Sequence, residues 1–306
     1  MLSLKKIIFI LMILGCSKMS YGDNKIEFYT YSSPNLYGSP LVQRIGINKN
    51  VKYYLKNNYT DIGDKNNIRG IGLIESKASD NNWLEFKDKY KDLLKLSKKS
   101  DQFMKRTDKI IGRYIENSAE HVVSAPVTSA AYEDKNAKEF ENWFKGKIND
   151  YDSVKEFKLS KGFFVEDKII KKNSNYLLVV NFVNPTGSKV GISNVKDWGT
   201  LENSNDNTMN ARLSIYNGFD MFHTDLSINN IIEGDDHQNV LFLEPYGSKE
   251  FTFQIGKNEI KKIDHFLKEN PNVKLKFYTK FNLDFIYPSD ISGRFNYVTQ
   301  DKEFFY

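Results

Sequence analysis

The sequence predicts an α+β protein, with an N-terminal mixed α/β region followed by a C-terminal antiparallel β-sandwich that contains one short inserted helix. Two observations lead to this prediction. In segments before residue 158, apolar residues recur every three or four positions, as in amphipathic helices. After residue 159 the pattern changes to alternation and short apolar runs separated by turn residues, which is typical of β-strands.

The chain begins with a stretch typical of an export signal. Lys5 and Lys6 form a short basic start, and an uninterrupted apolar run extends from Ile7 to Leu14. Eight helical residues rise only about 12 Å, well short of the roughly 30 Å hydrocarbon core of a bilayer. We therefore expect a signal peptide rather than a membrane-spanning helix.

Two cleavage sites compete at the end of this signal. In "ILGC", Gly15 precedes Cys16, and the motif resembles the bacterial lipobox, where the signal is cut before a cysteine that carries a diacylglyceryl group. In "SYG", small residues precede Asp23 and suit an ordinary signal peptidase. The first site predicts a signal peptide at 1–15 and a tether at 16–22, and the second predicts a signal peptide at 1–22.

Cys16 favours the lipoprotein interpretation. It is the only cysteine of the chain, so it cannot form an internal disulfide, and a free thiol is a liability in an oxidising compartment. Its place just after the apolar run is where lipidation requires it. Ser17 follows it, which by resemblance to enterobacterial lipoproteins favours the outer membrane. We expect a periplasmic protein anchored through lipid on Cys16, or else a soluble periplasmic or secreted one.

Composition excludes nucleic acid as an expected partner. The formal charge of +5 falls by two to +3 when residues 1–15, with Lys5 and Lys6, are removed, and to +2 when Lys18 is lost as well. So small an excess does not indicate binding to nucleic acid. The 22 Phe and 18 Tyr supply apolar surface for a core that no internal disulfide supports.

The elements of residues 23–158 predict an α+β domain. "KIEFYTY" alternates and reads as a strand, and further strands are expected at Val51 to Leu55 and Ile68 to Ile74. A helical stripe runs through Trp83, Phe86, Tyr90, Leu93 and Leu94, with Ser79 or Asp80 placed as its cap. The stripe resumes at Phe103, Met104, Ile110, Ile111 and Tyr114, which predicts a second or bent helix. Another helix is expected through Ala137, Phe140, Phe144 and Ile148.

Residues 159–306 predict the β-sandwich domain. Strands are expected in "NYLLVVNFV", "ARLSIYNG", "LSINNII", "NVLFLEPYGSKEFTFQI" and "VKLKFYTKFNLDFIY". Pro245 and Gly247 suggest a tight hairpin, and a short helix through Ile260, Ile263 and Phe266 ends at Asn270 and Pro271. The pattern resembles immunoglobulin-like sandwiches in class, without their cysteine–tryptophan signature.

One cluster of the C-terminal half has the residue types of a metal site. If Phe222 to Leu226 forms a strand, His223 and Asp225 share a face, and a following hairpin would bring Asp235 and His237 close. Imidazole with carboxylates suits zinc or another transition metal. Against this, the same "EGDDHQN" stretch is also typical of an exposed turn, so no cofactor is predicted.

The sequence contains no common catalytic motif: G-x-S-x-G, H-E-x-x-H and a Gly-rich phosphate loop are all absent. The first hypothesis is therefore a non-enzymatic, exported binding protein that contacts a protein partner, most specifically an immunity protein that neutralises a toxin from competing cells. Tyr-rich loops around Tyr37 and Tyr246 are the predicted partner-binding segments. The alternatives are an envelope metal-dependent hydrolase using His223, Asp225 and His237, and an envelope-assembly or adhesion component.

Overall fold

The structure is a computed structural model. It describes residues 24–31, 43–60, 68–99, 109–126, 135–153, 155–172, 175–198, 210–217, 221–226, 229, 231–233, 240–299 and 302–304. Cys16, Tyr37, Asp235 and His237 lie outside these residues, so the predictions that concern them stay predictions.

The α+β class is confirmed: the described part of the chain is mostly antiparallel β-sheet with three α-helices. The helices are α1 (Asp80–Lys99), α2 (Lys135–Ser153) and α3 (Lys257–Glu269). Each coincides with a predicted apolar stripe. Ser79 caps α1, because the Asn82 N–H donates to its Oγ at 3.3 Å.

The described strands fall into an N-terminal and a C-terminal set. The first set is β1 (Lys25–Tyr31), β2 (Arg44–Asn48), β3 (Val51–Lys56), β4 (Asn58–Thr60), β5 (Ile71–Lys77), β6 (Lys109–Glu116) and β7 (Ala119–Pro126). The second set is β8 (Lys158–Lys172), β9 (Asn175–Val183), β10 (Val190–Ser193), β11 (Asn210–Tyr216), β12 (Met221–Asp225), β13 (Ile231–Glu233), β14 (Val240–Leu243), β15 (Ser248–Gln254), β16 (Leu275–Tyr287), β17 (Gly293–Val298) and β18 (Lys302–Phe304).

Ten of these strands form one antiparallel sheet, in the order β13-β15-β9-β8-β5-β3-β2-β1-β6-β7. The 15-residue strand β8 joins its two parts, since residues 158–163 pair with β5 and residues 164–172 pair with β9. The predicted domain boundary between residues 158 and 159 falls at the start of β8. The division into two domains stays a prediction.

The second sheet has eight strands, centred on the long strand β16. Strands β12, β11, β16, β10 and β14 follow one another, while β17 and β18 also pair with β16. Strand β4, from the N-terminal half, adds to β17 in parallel, with Tyr59 opposite Tyr297. The β4–β17 pair therefore links the N-terminal half to this sheet.

Two apolar cores hold these layers together. Helices α1 and α2 cover one face of the N-terminal strands, where Phe28 packs on Phe86 and Phe140 with ring centroids 5.8 and 5.5 Å apart. The second core lies between the two sheets, where Phe182 of β9 meets Phe281 of β16 edge-on at 5.4 Å. Burial of such large aromatic side chains is the main stabilising contribution available to a chain without disulfides.

The immunoglobulin-like arrangement expected for residues 159–306 is not confirmed, because both sheets are open. The two sheets do face each other across the second core, but the ten-stranded sheet continues through β8 into the N-terminal half. Strand alternation in the sequence predicts that one face is buried; it does not specify which strands lie side by side.

The prediction of a second helix through Ile110, Ile111 and Tyr114 is wrong. These residues belong to β6, which pairs with β1 on one side and β7 on the other. Ile110 and Tyr114 lie on the buried face of the strand, so a spacing of four fits both a helix turn and a strand. Two adjacent β-branched isoleucines favour the strand. Phe103 and Met104 lie outside the described residues.

The predicted tight hairpin at Pro245 and Gly247 is also wrong. Strand β14 before the turn pairs with β10, whereas β15 after the turn pairs with β9, so the chain passes from one sheet to the other. Tyr246 has a positive φ of 56° at this crossing. The buried side chain of Asn184 fixes the turn by donating to the carbonyls of Leu243 and Glu244 at 3.1 and 3.0 Å.

Candidate functional site

The candidate site begins with the two faces of strand β1. Ile26 and Phe28 point into the core beneath the helices, so Lys25, Glu27 and Tyr29 share the opposite face. A carboxylate on the second face of a strand is normally exposed to water, yet Glu27 is only 2% exposed. A buried charge of this kind requires partners, and neighbouring strands supply them.

Glu27 lies among three cations and one hydroxyl. Lys25 Nζ is 2.9 Å from its Oε1, and the Tyr53 hydroxyl donates to the same oxygen at 2.5 Å. Arg44 Nε lies 3.9 Å from Oε1, and Arg113 Nη1 lies 3.6 Å from Oε2. The register of the sheet produces this cluster, since Glu27 of β1 lies directly opposite Arg113 of β6. On the other side, Tyr29 of β1 lies opposite Arg44 of β2.

A cavity of about 340 Å³ opens above this cluster, between the N-terminal strands and the end of β16. We call it the arginine cavity. Its N-terminal wall includes Glu27, Tyr29, Arg44, Leu55 and Arg113, and its C-terminal wall includes Phe285, Ile291 and Arg294. Its size is at the lower end of the range of small-ligand pockets.

Two of the cations that line the cavity are neutralised by carboxylates of their own. Arg294 donates to both carboxylate oxygens of Asp284, through Nε at 2.7 Å and Nη2 at 3.2 Å. Lys56 Nζ lies 2.6 Å from Asp152 Oδ1 at the end of helix α2. These two pairs therefore add no net charge to the cavity.

The remaining charges leave the cluster around Glu27 positive. Arg113 donates to both oxygens of Glu120, at 2.6 and 3.1 Å, while Glu27 is shared among Lys25, Arg44 and Arg113. Lys25 contacts Glu27 without lining the cavity. With Lys25 included, the cluster has three cations and two carboxylates, an excess of one positive charge. Among the described residues, no carboxylate oxygen lies within hydrogen-bonding distance of Arg44, whose Nη2 donates instead to the Asp290 carbonyl.

The surroundings shift the protonation equilibria of the cluster. Burial raises the pKa of the Glu27 carboxyl, but the charges of Lys25 and Arg44 and the hydrogen bond from Tyr53 outweigh it, so the pKa of Glu27 lies below its usual value. Burial raises the pKa of Tyr29, and burial together with the Glu27 charge raises that of Tyr53 well above its usual range. Glu27 is therefore ionised, and both tyrosines keep their protons, at neutral pH.

Sequence reasoning missed this site. Glu27, Arg44 and Arg113 belong to three separate strands and share no motif, so only strand pairing brings them together. One signal was present in the sequence: "KIEFYTY" places a charged residue, Glu27, inside an alternating strand. Without knowledge of the strand partners, a solvated face explains that charge equally well.

The predicted metal ligands His223 and Asp225 do share a face of β12, as expected, and both face polar partners on β11. His223 Nδ1 lies 3.0 Å from Ser214 Oγ, and Asp225 Oδ1 accepts a hydrogen bond from Arg212 Nε at 2.9 Å. Among the described residues, no group of three or more His, Cys, Asp or Glu side chains could hold a metal ion. Since Asp235 and His237 are not described, the metal site stays a prediction.

Tyr246, predicted to lie in a partner-binding loop, is 77% exposed at the turn between β14 and β15. Its N–H donates to the Thr186 carbonyl at 3.0 Å, so the backbone at this position is held in place while the ring faces solvent. This position leaves the ring accessible to a partner; that it binds one stays a prediction. None of the described helices is both long and apolar enough to cross a membrane.

Comparison with known proteins yields little. No protein-family model and no curated protein matches the chain. Among solved structures, the chain is similar to a crystal structure described only as a protein from Archaeoglobus fulgidus, with 10% identity and a TM-score of 0.27. The likeness covers 46% of this chain and 93% of the other. At this TM-score it supports no conclusion about fold or function.

Proposed function

We propose that the chain is a non-enzymatic binding protein that receives a group of its partner in the arginine cavity. The observation that carries the proposal is the cluster of fixed polar side chains around Glu27, which has an excess of one positive charge and lies beside the cavity. Hydrogen bonds and ion pairs hold these side chains in place before any ligand arrives. A preorganised site of this kind loses little conformational entropy on binding.

The composition of the cavity and its surroundings supports a protein partner. Arginine and tyrosine are enriched among the residues that dominate binding energy at protein interfaces. At the end of β16, next to Phe285 of the cavity wall, Ile286 and Tyr287 are 42% and 48% exposed. Apolar surface beside a charged cavity gives a partner both contact area and an anchoring point.

Location and biological role are proposals that rest on the sequence. We propose export to the periplasm, with lipid on Cys16 as the anchor and the outer membrane as the favoured site. The most specific role is that of an immunity protein that neutralises a toxin from competing cells. The immunoglobulin-like class of residues 159–306 likewise stays a proposal, supported by strand alternation alone.

The proposal is tested by affinity purification of the tagged, natively processed protein from its own cells. Mass spectrometry would identify co-purifying proteins and, in the same sample, the N-terminal peptide with or without lipid on Cys16. The variant Arg44→Gln alters the cavity, and Arg69→Gln is a matched control, because Arg69 is an exposed arginine paired with Glu166 at 3.2 Å.

We expect one protein at near-equal amount with the wild type and with Arg69→Gln, and much less of it with Arg44→Gln. A partner retained equally by all three forms would exclude the cavity as the binding site, and absence of any partner would contradict the binding function. A toxin-like partner would support the immunity role; a constant structural partner would favour envelope assembly instead.

A further inference from the structure

We propose that the arginine cavity binds a carboxylate group, held by the guanidinium of Arg44 with the Tyr29 hydroxyl and Arg113 beside it. The inference rests on the proposed binding function and names the chemistry that the partner must present. The carboxylate belongs either to a small organic acid or to an acidic side chain or C-terminus of a protein.

Among the described cations of the cavity, Arg44 is the one without a carboxylate in hydrogen-bonding distance, and its Nη2 donates to the Asp290 carbonyl. Arg113 and Arg294 each donate two hydrogen bonds to a carboxylate of the chain, Glu120 and Asp284 respectively. For Arg44, the carboxylate oxygen in ion-pair range is that of Glu27, 3.9 Å from Nε, too far for a hydrogen bond. Guanidinium groups prefer to pair with carboxylates in a planar, bidentate way, and Arg44 lacks such a pair among the described residues.

The charge balance sets the number of negative charges. Lys25, Arg44 and Arg113 outnumber Glu27 and Glu120 by one, so one added negative charge makes the cluster neutral. A carboxylate supplies one charge. A phosphate dianion would overshoot the balance, and the ionised Glu27 would repel its two charges more strongly than the single charge of a carboxylate.

Tyr29 adds a hydrogen-bond donor at the right place. It faces Arg44 directly in the β1–β2 register, and it lines the cavity with Arg44 and Arg113. Burial keeps its pKa above the usual value, so the hydroxyl stays protonated at neutral pH and can donate to an anion.

The apolar side chains of the wall fit the remainder of the ligand. Leu55, Phe285 and Ile291 line the same cavity, so a carbon chain behind the carboxylate would be removed from water. An acid with a short alkyl chain combines both features. A bare inorganic anion would leave these side chains without contact.

The test measures binding of matched probes to the natively processed protein with ¹⁵N-labelled arginine side chains. Butanoate is compared with butanamide, which has nearly the same shape without the charge, and with inorganic phosphate, all at constant ionic strength. The peptide acetyl-Gly-Glu-Gly-amide and its Gln counterpart form the second arm, and separate a protein-borne carboxylate from a free acid.

We expect butanoate or the Glu peptide to shift the side-chain signals of Arg44 and Arg113 in a saturable way, and the neutral counterparts to leave them unchanged. The Arg113 signal reports the affinity of the Arg44 variants, since Arg113 lines the same cavity. Arg44→Gln should weaken binding about tenfold or more, since a charge-assisted hydrogen bond is lost. Arg69→Gln should bind like the wild type. Arg44→Lys retains the charge and serves as a second variant if Arg44→Gln is poorly folded; its affinity should lie between the other two.

Failure of both carboxylate probes to bind would overturn the inference, and so would three further results. These are equal shifts from the acid and the amide, tighter binding of phosphate than of either carboxylate, and an Arg44→Gln affinity equal to that of the wild type. If both carboxylate probes fail while Arg44→Gln still loses its partner in the affinity purification, the inference is wrong and the proposed binding function stands. If both carboxylate probes fail and Arg44→Gln also keeps its partner in the affinity purification, the inference and the proposed role of the cavity in binding are both contradicted.

Discussion

The hydroxyl of Tyr53 donates to Oε1 of Glu27 across an intervening strand, β2, with the two oxygens 2.5 Å apart. Gly46 lies between them, opposite Glu27 in one register and opposite Tyr53 in the other. A Cβ at position 46 would lie 2.3 Å from Cζ and from the hydroxyl oxygen of Tyr53. The tyrosine ring therefore passes over β2 because residue 46 has no side chain.

Gly46→Ala should destabilise the protein, because the methyl group displaces the Tyr53 ring and breaks its hydrogen bond to a buried carboxylate. Overpacking of this kind costs about 1–3 kcal/mol in the free energy of unfolding. Urea unfolding measures the change. Gly146→Ala is the matched control, since its Cβ would meet nothing within 4 Å and it lies inside helix α2. The control should gain about 0.5–1 kcal/mol from helix propensity; equal losses in both variants would contradict this account.

Glu27→Gln should lower stability at neutral pH and make it less sensitive to acid. The folded-state pKa of Glu27 lies below its unfolded value, so its contribution is complete above the unfolded pKa and is lost as the pH falls through the folded pKa. Wild-type stability should thus fall more steeply than that of Glu27→Gln below about pH 4.5, the ordinary pKa of a glutamate.

Urea unfolding at a series of pH values measures this difference. Glu156→Gln is the control, because its side chain is 55% exposed and pairs with Lys52 at the surface. Exposed pairs contribute at most about 1 kcal/mol, so this variant should follow the wild type closely. Parallel acid curves for Glu27→Gln and the wild type would show that Glu27 is not the stabilising carboxylate.

Local periodicity predicted the elements that carry their own amphipathic signal. The stripes through Phe86 and Tyr90, through Phe140 and Phe144, and through Ile263 all became helices. It failed where the pattern fits two structures, as at Ile110 and Tyr114. It also failed where the structure depends on which strand a segment pairs with, as at the turn after β14. No local pattern specifies that β14 and β15 join different sheets.

The arginine cavity could not be predicted for the same reason, because it depends on strand pairing. Arg44 and Arg113 become neighbours of Glu27 only through the antiparallel pairing of β1 with β2 and β6. His223 and Asp225, by contrast, share a face through alternation within one strand, which the sequence shows directly. Spacing along a single element is visible in a sequence; a site assembled from three strands is not.

Asp167→Ala should be strongly destabilising. The side chain of Asp167 is fully buried, and its Oδ2 accepts from the hydroxyls of Thr279 and Thr299 at 2.7 and 2.9 Å, while its Oδ1 pairs with Lys302. These contacts join β8 to β16 and β18. Removing one partner of a buried ion pair costs about 3–5 kcal/mol.

The neighbouring residue provides the control. Glu166→Ala removes a carboxylate that is 49% exposed and paired with Arg69, so it should cost no more than about 1 kcal/mol. Chemical unfolding of both variants measures the contrast. A loss for Asp167→Ala as small as that for Glu166→Ala would mean that the buried contacts of Asp167 contribute no net stability.

The titration of His223 should move in opposite directions when its two charged neighbours are neutralised. Partial burial of the ring and the positive charge of Arg212 lower the pKa of His223, and the charge of Asp225 raises it. Arg212→Gln should therefore raise this pKa and Asp225→Asn should lower it further, as followed by NMR of the imidazole between pH 4 and 8. Arg69→Gln should leave it unchanged.

Because protonation of His223 is disfavoured in the folded state, its contribution to stability is present above the ordinary pKa and is lost as the pH falls through the lowered one. Movement of the pKa in the same direction in both variants would show that Arg212 and Asp225 do not act on the ring through their charges.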